Sequence, residues 1–286
     1  MTIKNFLSAN KKFFDIKDLE IFLEKILNCD KNFLFLNENF LISKKNFLQL
    51  EKFLEEKKAW YSVAAIIWEK YFYWKRFIID KNVLVPREET EDLISYVEGK
   101  IWDNISLGGV KNILDIWTWS WIIPITLKLE LEKLDEKNSL NYFASDISEK
   151  ALDVAKKNSE NFWVKIDFFK SDLLKNVPKV LNEEWVFLIT ANLPYVEDGF
   201  KADSVARKLW ILKEPDLALY SWEDWLNHYR ELLNELKNFK FKYLIMEMWI
   251  CQTDIVAKMY SFFWKTEIYY DLGWNKRWVF VENINF

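Results

Sequence analysis

The chain has 286 residues, with 40 Lys+Arg against 44 Asp+Glu and a single histidine, His228; that length predicts one large unit and a smaller one, each with its own core. A net charge of −4 gives no general attraction to nucleic acid or anionic lipid, and no apolar run reaches the roughly 18 residues of a membrane span or forms a signal-peptide core, so the chain reads as cytoplasmic with no membrane partner. Cys29 and Cys251 are too few for a disulfide framework and, beside one histidine, for a metal site; both read as inert packing residues.

Residues 1–68 read as a small helical domain. "DLEIFLEKILN" and "KNFLQLEKFLEEKKAWYSVAAIIW" repeat apolar residues every three or four positions. "EKYFYWKRFIID" alternates on either side of Trp74-Lys75 and predicts a linking hairpin within residues 69–82. "VLVPREETEDLISYVEGKI" opens the large domain, 83–286, with Pro86 ahead of a helix whose first turn is acidic, as the helix dipole favours. From residue 111 strands and helices alternate. The strands are "NILDI", "NYFASD", "IDFFKSD", "VFLITAN" and "YLIMEM"; the helices are "IIPITLKLELEKL", "EKALDVAKKNSENF" and "DWLNHYRELLNELKNF". That order predicts an α/β fold with a mostly parallel sheet covered on both faces. "KTEIYYDLGWNKRWVFVEN" closes the chain as an antiparallel hairpin at one edge.

Composition carries one anomaly. A chain of this length should hold roughly 20 glycines at ordinary usage, yet it has 5, beside 16 tryptophans. The two counts together suggest that many tryptophans stand where glycine belongs, as arises when a reassigned stop codon is translated with the wrong table. Trp74 and Trp274 fall at hairpin tips, and Trp222 and Trp225 where a loop enters a helix. These are glycine's places, and tryptophan serves them poorly.

In an open parallel sheet, ligands bind beyond the carboxyl ends of the strands. Asp115, Asp146 and Asp172 end the first three strands, and Asn192 with "NLPY" follows the fourth. "DIWTWSW" places Trp117, Trp119 and Trp121, with Thr118 and Ser120 between them, where the chain turns from strand to helix. Read with glycine at 117, 119 and 121, this is a bare loop that lets a ligand approach the next helix N-terminus. Its spacing departs from the dinucleotide fingerprint, while Asp146 suits a ribose diol. As tryptophans, three indoles would fill the loop.

These motifs resemble the S-adenosylmethionine-dependent methyltransferases, and among them the enzymes that methylate a glutamine amide of peptide chain release factors. "VPREETEDLI", "DIWTWSW", "ANLPYV", "EPDLALYSWEDWLNHYREL" and "MEMWICQ" carry the resemblance. It implies a Rossmann-like class I methyltransferase domain behind a helical domain that docks the substrate, S-adenosylmethionine as cofactor, and a release factor as partner, with no direct nucleic acid. It also implies a cofactor site of Asp115, Trp117, Thr118, Trp119, Ser120, Trp121, Asp146, Asp172, Leu173 and Asn192. Asn192, Leu193, Pro194 and Tyr195 would bind the substrate, with Asn192, Pro194 and Tyr195 catalytic. The Asn192 side-chain oxygen and the Leu193 carbonyl would accept the two N–H bonds of the glutamine amide and hold its nitrogen toward the methyl donor, and Tyr195 would stack on the flat amide. Arg87, Glu89 and Thr90 would line the cofactor or cap their helix. His228 reads as structural, and Ser221 to Asp224 as a helix cap.

Two positions depart from the family pattern: Leu193 replaces the first proline of its Asn-Pro-Pro-Tyr motif, and Glu88 a proline after Arg87. The Asn-Leu-Pro-Tyr form is familiar in methyltransferases of adenine amino groups, which is the alternative substrate class. If the tryptophans are genuine, a catalytically inactive binding module is the other alternative.

Overall fold

The computed structural model describes residues 1–103, 110–119, 121–134, 140–178, 181, 187–195, 214–215, 221 and 224–285. Five helices open the chain: α1 (Ile3–Asn10), α2 (Ile16–Leu27), α3 (Lys31–Leu36), α4 (Lys44–Lys58) and α5 (Val63–Ile67). Each begins behind a short polar residue, Thr2, Asp15, Asp30, Ser43 or Ser62, whose side chain accepts an N–H of the first turn. Together they bury a core of their own around Ile3, Phe6, Leu19, Phe22, Leu23 and Leu50. Cys29 packs against it, whereas Cys251 is exposed and packs nothing away, which corrects the expectation for that residue. The periodic run expected over 45–68 is two helices, because the backbone turns left-handed at Trp60, φ 69°.

Strands β1 (Glu69–Phe72) and β2 (Lys75–Ile78) form the hairpin. Phe72 pairs with Lys75, so the two turn residues are Tyr73 and Trp74, one position earlier than expected. Both have positive φ, 47° and 63°, the geometry that matches the right-handed twist of the flanking strands.

The large unit runs α6 (Thr90–Asp103), β3 (Asn112–Ile116), α7 (Ile122–Leu134), β4 (Asn141–Asp146), α8 (Glu149–Asn161), β5 (Asp167–Lys170) and β6 (Phe187–Asn192). It continues with α9 (Asn227–Leu236), β7 (Phe241–Glu247), α10 (Thr253–Ser261), β8 (Lys265–Tyr270) and β9 (Lys276–Glu282). Seven strands make one sheet in the order β5-β4-β3-β6-β7-β9-β8. The first five run parallel and the last two antiparallel. All five residues of β3 are buried, as a central strand covered on both faces requires. Its residues alternate between two cores: Leu114 and Ile116 face α9 and α10, while Ile113 faces α6, α7 and α8. Helix α10 has no counterpart in the sequence expectation. Its nine residues bury only Thr253, Val256, Ala257 and Tyr260, too short a run for a helical period to declare itself. At α9 no side chain caps the first turn. Asp224 instead accepts the Leu226 N–H at 2.9 Å, and the Ser221 hydroxyl is buried without a partner among the described residues.

Among the described residues, eight tryptophans, 60, 68, 74, 117, 119, 121, 163 and 274, hold positive φ. A side chain there costs about 1–2 kcal/mol, so eight of them cost roughly as much as the ~5–15 kcal/mol net stability of a whole domain.

The hairpin is fastened to α8 by Asn158, which is fully buried. Its Oδ1 accepts the Ile78 N–H at 2.8 Å and its Nδ2 donates to the Ile78 carbonyl at 2.9 Å. Asn158→Ala leaves both main-chain groups without that partner and should lower stability by on the order of 2–3 kcal/mol in urea unfolding. An unchanged midpoint would show that the hairpin is held by its apolar face alone.

Candidate active site

Because β3 to β7 are parallel, their carboxyl ends share one rim of the sheet, and the turns that follow them converge there. Asp115, fully buried, accepts hydrogen bonds from the hydroxyls of Thr118 and Thr190. The first comes from the turn after β3 and the second from β6, so one carboxylate sets the turn against the neighbouring strand. Burial pushes the Asp115 carboxyl up to about 7, against the lowering effect of the two threonines. Asp146, also fully buried, accepts the Trp119 N–H at 3.0 Å and the Ser148 N–H at 2.8 Å. Desolvation raises it to about 6 in spite of those bonds. Its oxygens therefore serve the turn and the start of α8.

The turn itself closes between the Thr118 carbonyl and the Trp121 N–H, 2.8 Å, and the Trp121 carbonyl then starts α7. All three tryptophans are buried and left-handed, φ 58°, 52° and 65°. Their indoles go two ways. Trp117 lies edge-on to His228 at 4.7 Å, and Trp119 donates its Nε1 to the Asn192 carbonyl at 2.9 Å. Trp121 points into the opposite core, against Phe168 at 4.1 Å. Two indoles, not the three expected, line the cavity at this rim, together with Arg87, Thr90, Thr118 and Asn192. Ser120 lies outside the described residues, as do Trp222 and most of the "EPDLALYSW" stretch.

On the β6 side Asn192 is buried, and its Nδ2 donates to Glu247 Oε2 at 3.3 Å. Glu247, at the end of β7, also accepts the Thr90 hydroxyl at 2.8 Å, and burial raises its carboxyl. Leu193 is 1% exposed and packs into the core, so what it presents to the rim is its main chain. Gln252 donates to the Tyr195 carbonyl at 2.8 Å while accepting the Trp249 N–H at 3.2 Å. The Tyr195 ring sits 6.0 Å from the Trp249 ring. Glu247 and Gln252 thus brace "NLPY" from both ends. Neither is among the site residues expected from sequence; their signal there is the "MEMWICQ" segment.

The remaining candidates are more peripheral. The Asp172 carboxylate is paired with Lys175 at 2.6 Å, and Leu173 is buried with φ 49°. Arg87 pairs with the buried Glu214 at 2.6 Å, whose carboxyl burial pushes up to about 7, and Glu89 pairs with Arg277 at 3.3 Å. His228 is buried beside Trp117, and desolvation lowers its pKa.

The order β5-β4-β3-β6-β7-β9-β8 with helices on both faces defines a Rossmann-like methyltransferase fold. The solved catalytic domain of human METTL16 in complex with a MAT2A 3′UTR hairpin shares it, with a TM-score of 0.56 at 14% identity over 98% of this chain and 91% of that one. No protein-family model matches the chain. It is 37% identical to the release factor glutamine methyltransferase of Leptospira interrogans, across 71% of this chain and 67% of that protein. The enzyme of that name from Flavobacterium psychrophilum is 32% identical across 81% and 80%. The chain belongs to the release factor glutamine methyltransferase family.

At the rim formed by the described residues, the tryptophans as written leave S-adenosylmethionine no room. The cavity between the turn after β3 and Asn192 is about 30 Å³, room for a single water. Small-molecule sites take about 300 Å³ or more, and here the indoles of Trp117 and Trp119 hold the space.

Asp115 also fixes a pH dependence. Below about pH 4 both folded and unfolded chains are protonated there. As the pH rises, the unfolded carboxyl ionises while the folded one keeps its proton up to about pH 7, so stability from this group falls through that window. Asp115→Asn should make the decline in unfolding free energy from pH 4 to pH 7 shallower, leaving the contributions of Asp146, Glu214 and Glu247. An unchanged slope would mean that Asp115 is ionised in the folded protein at low pH.

Proposed function

We propose that this chain transfers a methyl group from S-adenosylmethionine to the side-chain amide nitrogen of a glutamine in a peptide chain release factor. The reading places it in the cytoplasm, acting on protein and not directly on nucleic acid. One constellation carries it: in a chain of this family, buried Asn192 is held by Glu247 beside the Leu193 main chain at the end of β6.

An amide nitrogen is a poor nucleophile because its lone pair is delocalised into the carbonyl. Fixing both of its N–H bonds orients the nitrogen and stabilises the positive charge that develops on it before a proton leaves. Since Glu247 engages Nδ2 of Asn192, Oδ1 is the end turned to accept one N–H. The Leu193 carbonyl accepts the other, a role that does not need the proline the family carries there, because the leucine side chain is spent on the core. Pro194 stiffens the turn, and Tyr195, anchored through its carbonyl by Gln252, offers its ring to the flat amide.

With two indoles in the cavity, the enzyme for the test is best purified from its own host. Labelled S-adenosylmethionine should label a release factor and not its Gln→Ala variant; label appearing in ribosomal or transfer RNA instead would move the substrate to an adenine amino group. Asn192→Ala, introduced into the host gene, should lower kcat by on the order of 10²- to 10³-fold with cofactor affinity nearly unchanged. Normal turnover of that variant would remove Asn192 from the mechanism.

A further inference from the structure

We propose that the working protein carries glycine, not tryptophan, at positions 60, 68, 74, 117, 119, 121, 163 and 274, and that glycine at 117 and 119 opens the cofactor cavity at the rim of the sheet. The second half rests on the S-adenosylmethionine reading above; the first half does not.

The backbone is the first ground. Eleven described non-glycine residues have positive φ, and eight are tryptophan. With 16 tryptophans in 286 residues, a random draw of eleven would hold fewer than one. Glycine alone reaches this region without a steric cost. The places are also glycine's places. Trp60 and Trp163 follow the last residues of α4 and α8, and Trp68 ends α5, positions where a left-handed residue closes a helix. Trp74 completes the β1–β2 turn, and Trp274 lies in the β8–β9 turn beside Gly273. Trp60 and Trp163 carry no motif at all, so their conformation alone selects them.

The side chains are the second ground. The five tryptophans away from the rim are exposed, from 48% at Trp60 to 96% at Trp74, so their indoles build no core. At the rim the indoles are buried, yet Nε1 of Trp117 and of Trp121 find no hydrogen-bond partner among the described residues, which an indole N–H in a settled core usually does. Trp264 and Trp278 differ in backbone and in packing, although the Trp278 Nε1 is likewise buried without a partner among the described residues. Neither has positive φ; Trp264 packs on Phe241 at 5.0 Å, and Trp278 lies buried in β9. Both are assigned as genuine tryptophans.

The consequence for the site follows from where the indoles point. Trp117 and Trp119 occupy the space between the β3 turn and Asn192, and the Trp119 Nε1 takes up the Asn192 carbonyl. Removing both side chains joins the small cavity at Arg87 and Thr90 to the volume they vacate. Trp121 contributes nothing to that opening, because its ring is in the core on the other face of the sheet.

Tandem mass spectrometry of peptides from the protein purified from its own host reads each position directly, whatever the protein does. Glycine at the eight positions with tryptophan at 264 and 278 is expected. Tryptophan at 117, 119 and 121 would overturn the proposal, and glycine at 264 and 278 as well would overturn the backbone criterion. Calorimetry with S-adenosylhomocysteine then tests the cavity. The chain with all its tryptophans should not bind, Trp117→Gly/Trp119→Gly should, and Trp121→Gly alone should not. Equal binding by the all-tryptophan chain and the double variant would refute the steric closure. If glycine is read and the double variant binds, yet no release factor is labelled, the substrate reading fails and this one stands.

Discussion

The buried carboxylate of Asp115 is the contact on which the rim of the sheet depends. It lies fully buried near the end of a central strand, and its two oxygens recruit Thr118 from the following turn and Thr190 from the neighbouring strand. A buried carboxylate left without such donors would cost several times what the two hydrogen bonds return. That asymmetry holds the turn against β6, and β6 is the strand that delivers Asn192. Asp146 repeats the device one strand over, tying the same turn to β4 through the Trp119 N–H.

Where Asp115 anchors the turn, Glu247 anchors the strand end. It collects Thr90 from the start of α6 and Asn192 from β6, so three elements distant in sequence meet on one oxygen. With Gln252, just ahead of α10, holding the Tyr195 carbonyl, the "NLPY" segment is braced at both ends. A loop that must orient a substrate atom gains from such bracing, because misplacement by an ångström is costly in rate.

Much of the architecture is legible from sequence, and unevenly so. Strands β3 and β4 and helix α7 fall on the residues their patterns predict, because short apolar runs flanked by polar residues mark the two strands and α7 runs directly on from the turn after β3. Helix α10 and the break between α4 and α5 are not legible: the one is too short to show a period, and the other turns on a left-handed tryptophan that no propensity favours. In the site, Asp115, Asp146 and Asn192 announce themselves by ending strands. Glu247 and Gln252 do not, since their partners depend on β7 lying next to β6, and strand order is a property of the packed sheet, not of any segment. The same holds for the indoles: composition flags the tryptophans, but only the packed fold separates Trp121, which faces the far core, from Trp117 and Trp119.

The order of the last two strands has a consequence for how the molecule is made. β9 lies between β7 and β8, so the last of these seven strands in chain order is the one that joins its predecessor to the sheet. On the ribosome, β8 emerges with no neighbour to pair with, and β7 waits with one edge bare. Until residues 276–282 are free to insert, the nascent chain exposes two open strand edges of the kind that seek partners in other chains. Assembly of this edge is therefore a late, all-at-once step, and the rim residues carried by β7, Glu247 above all, reach their final setting only when β9 has closed behind them.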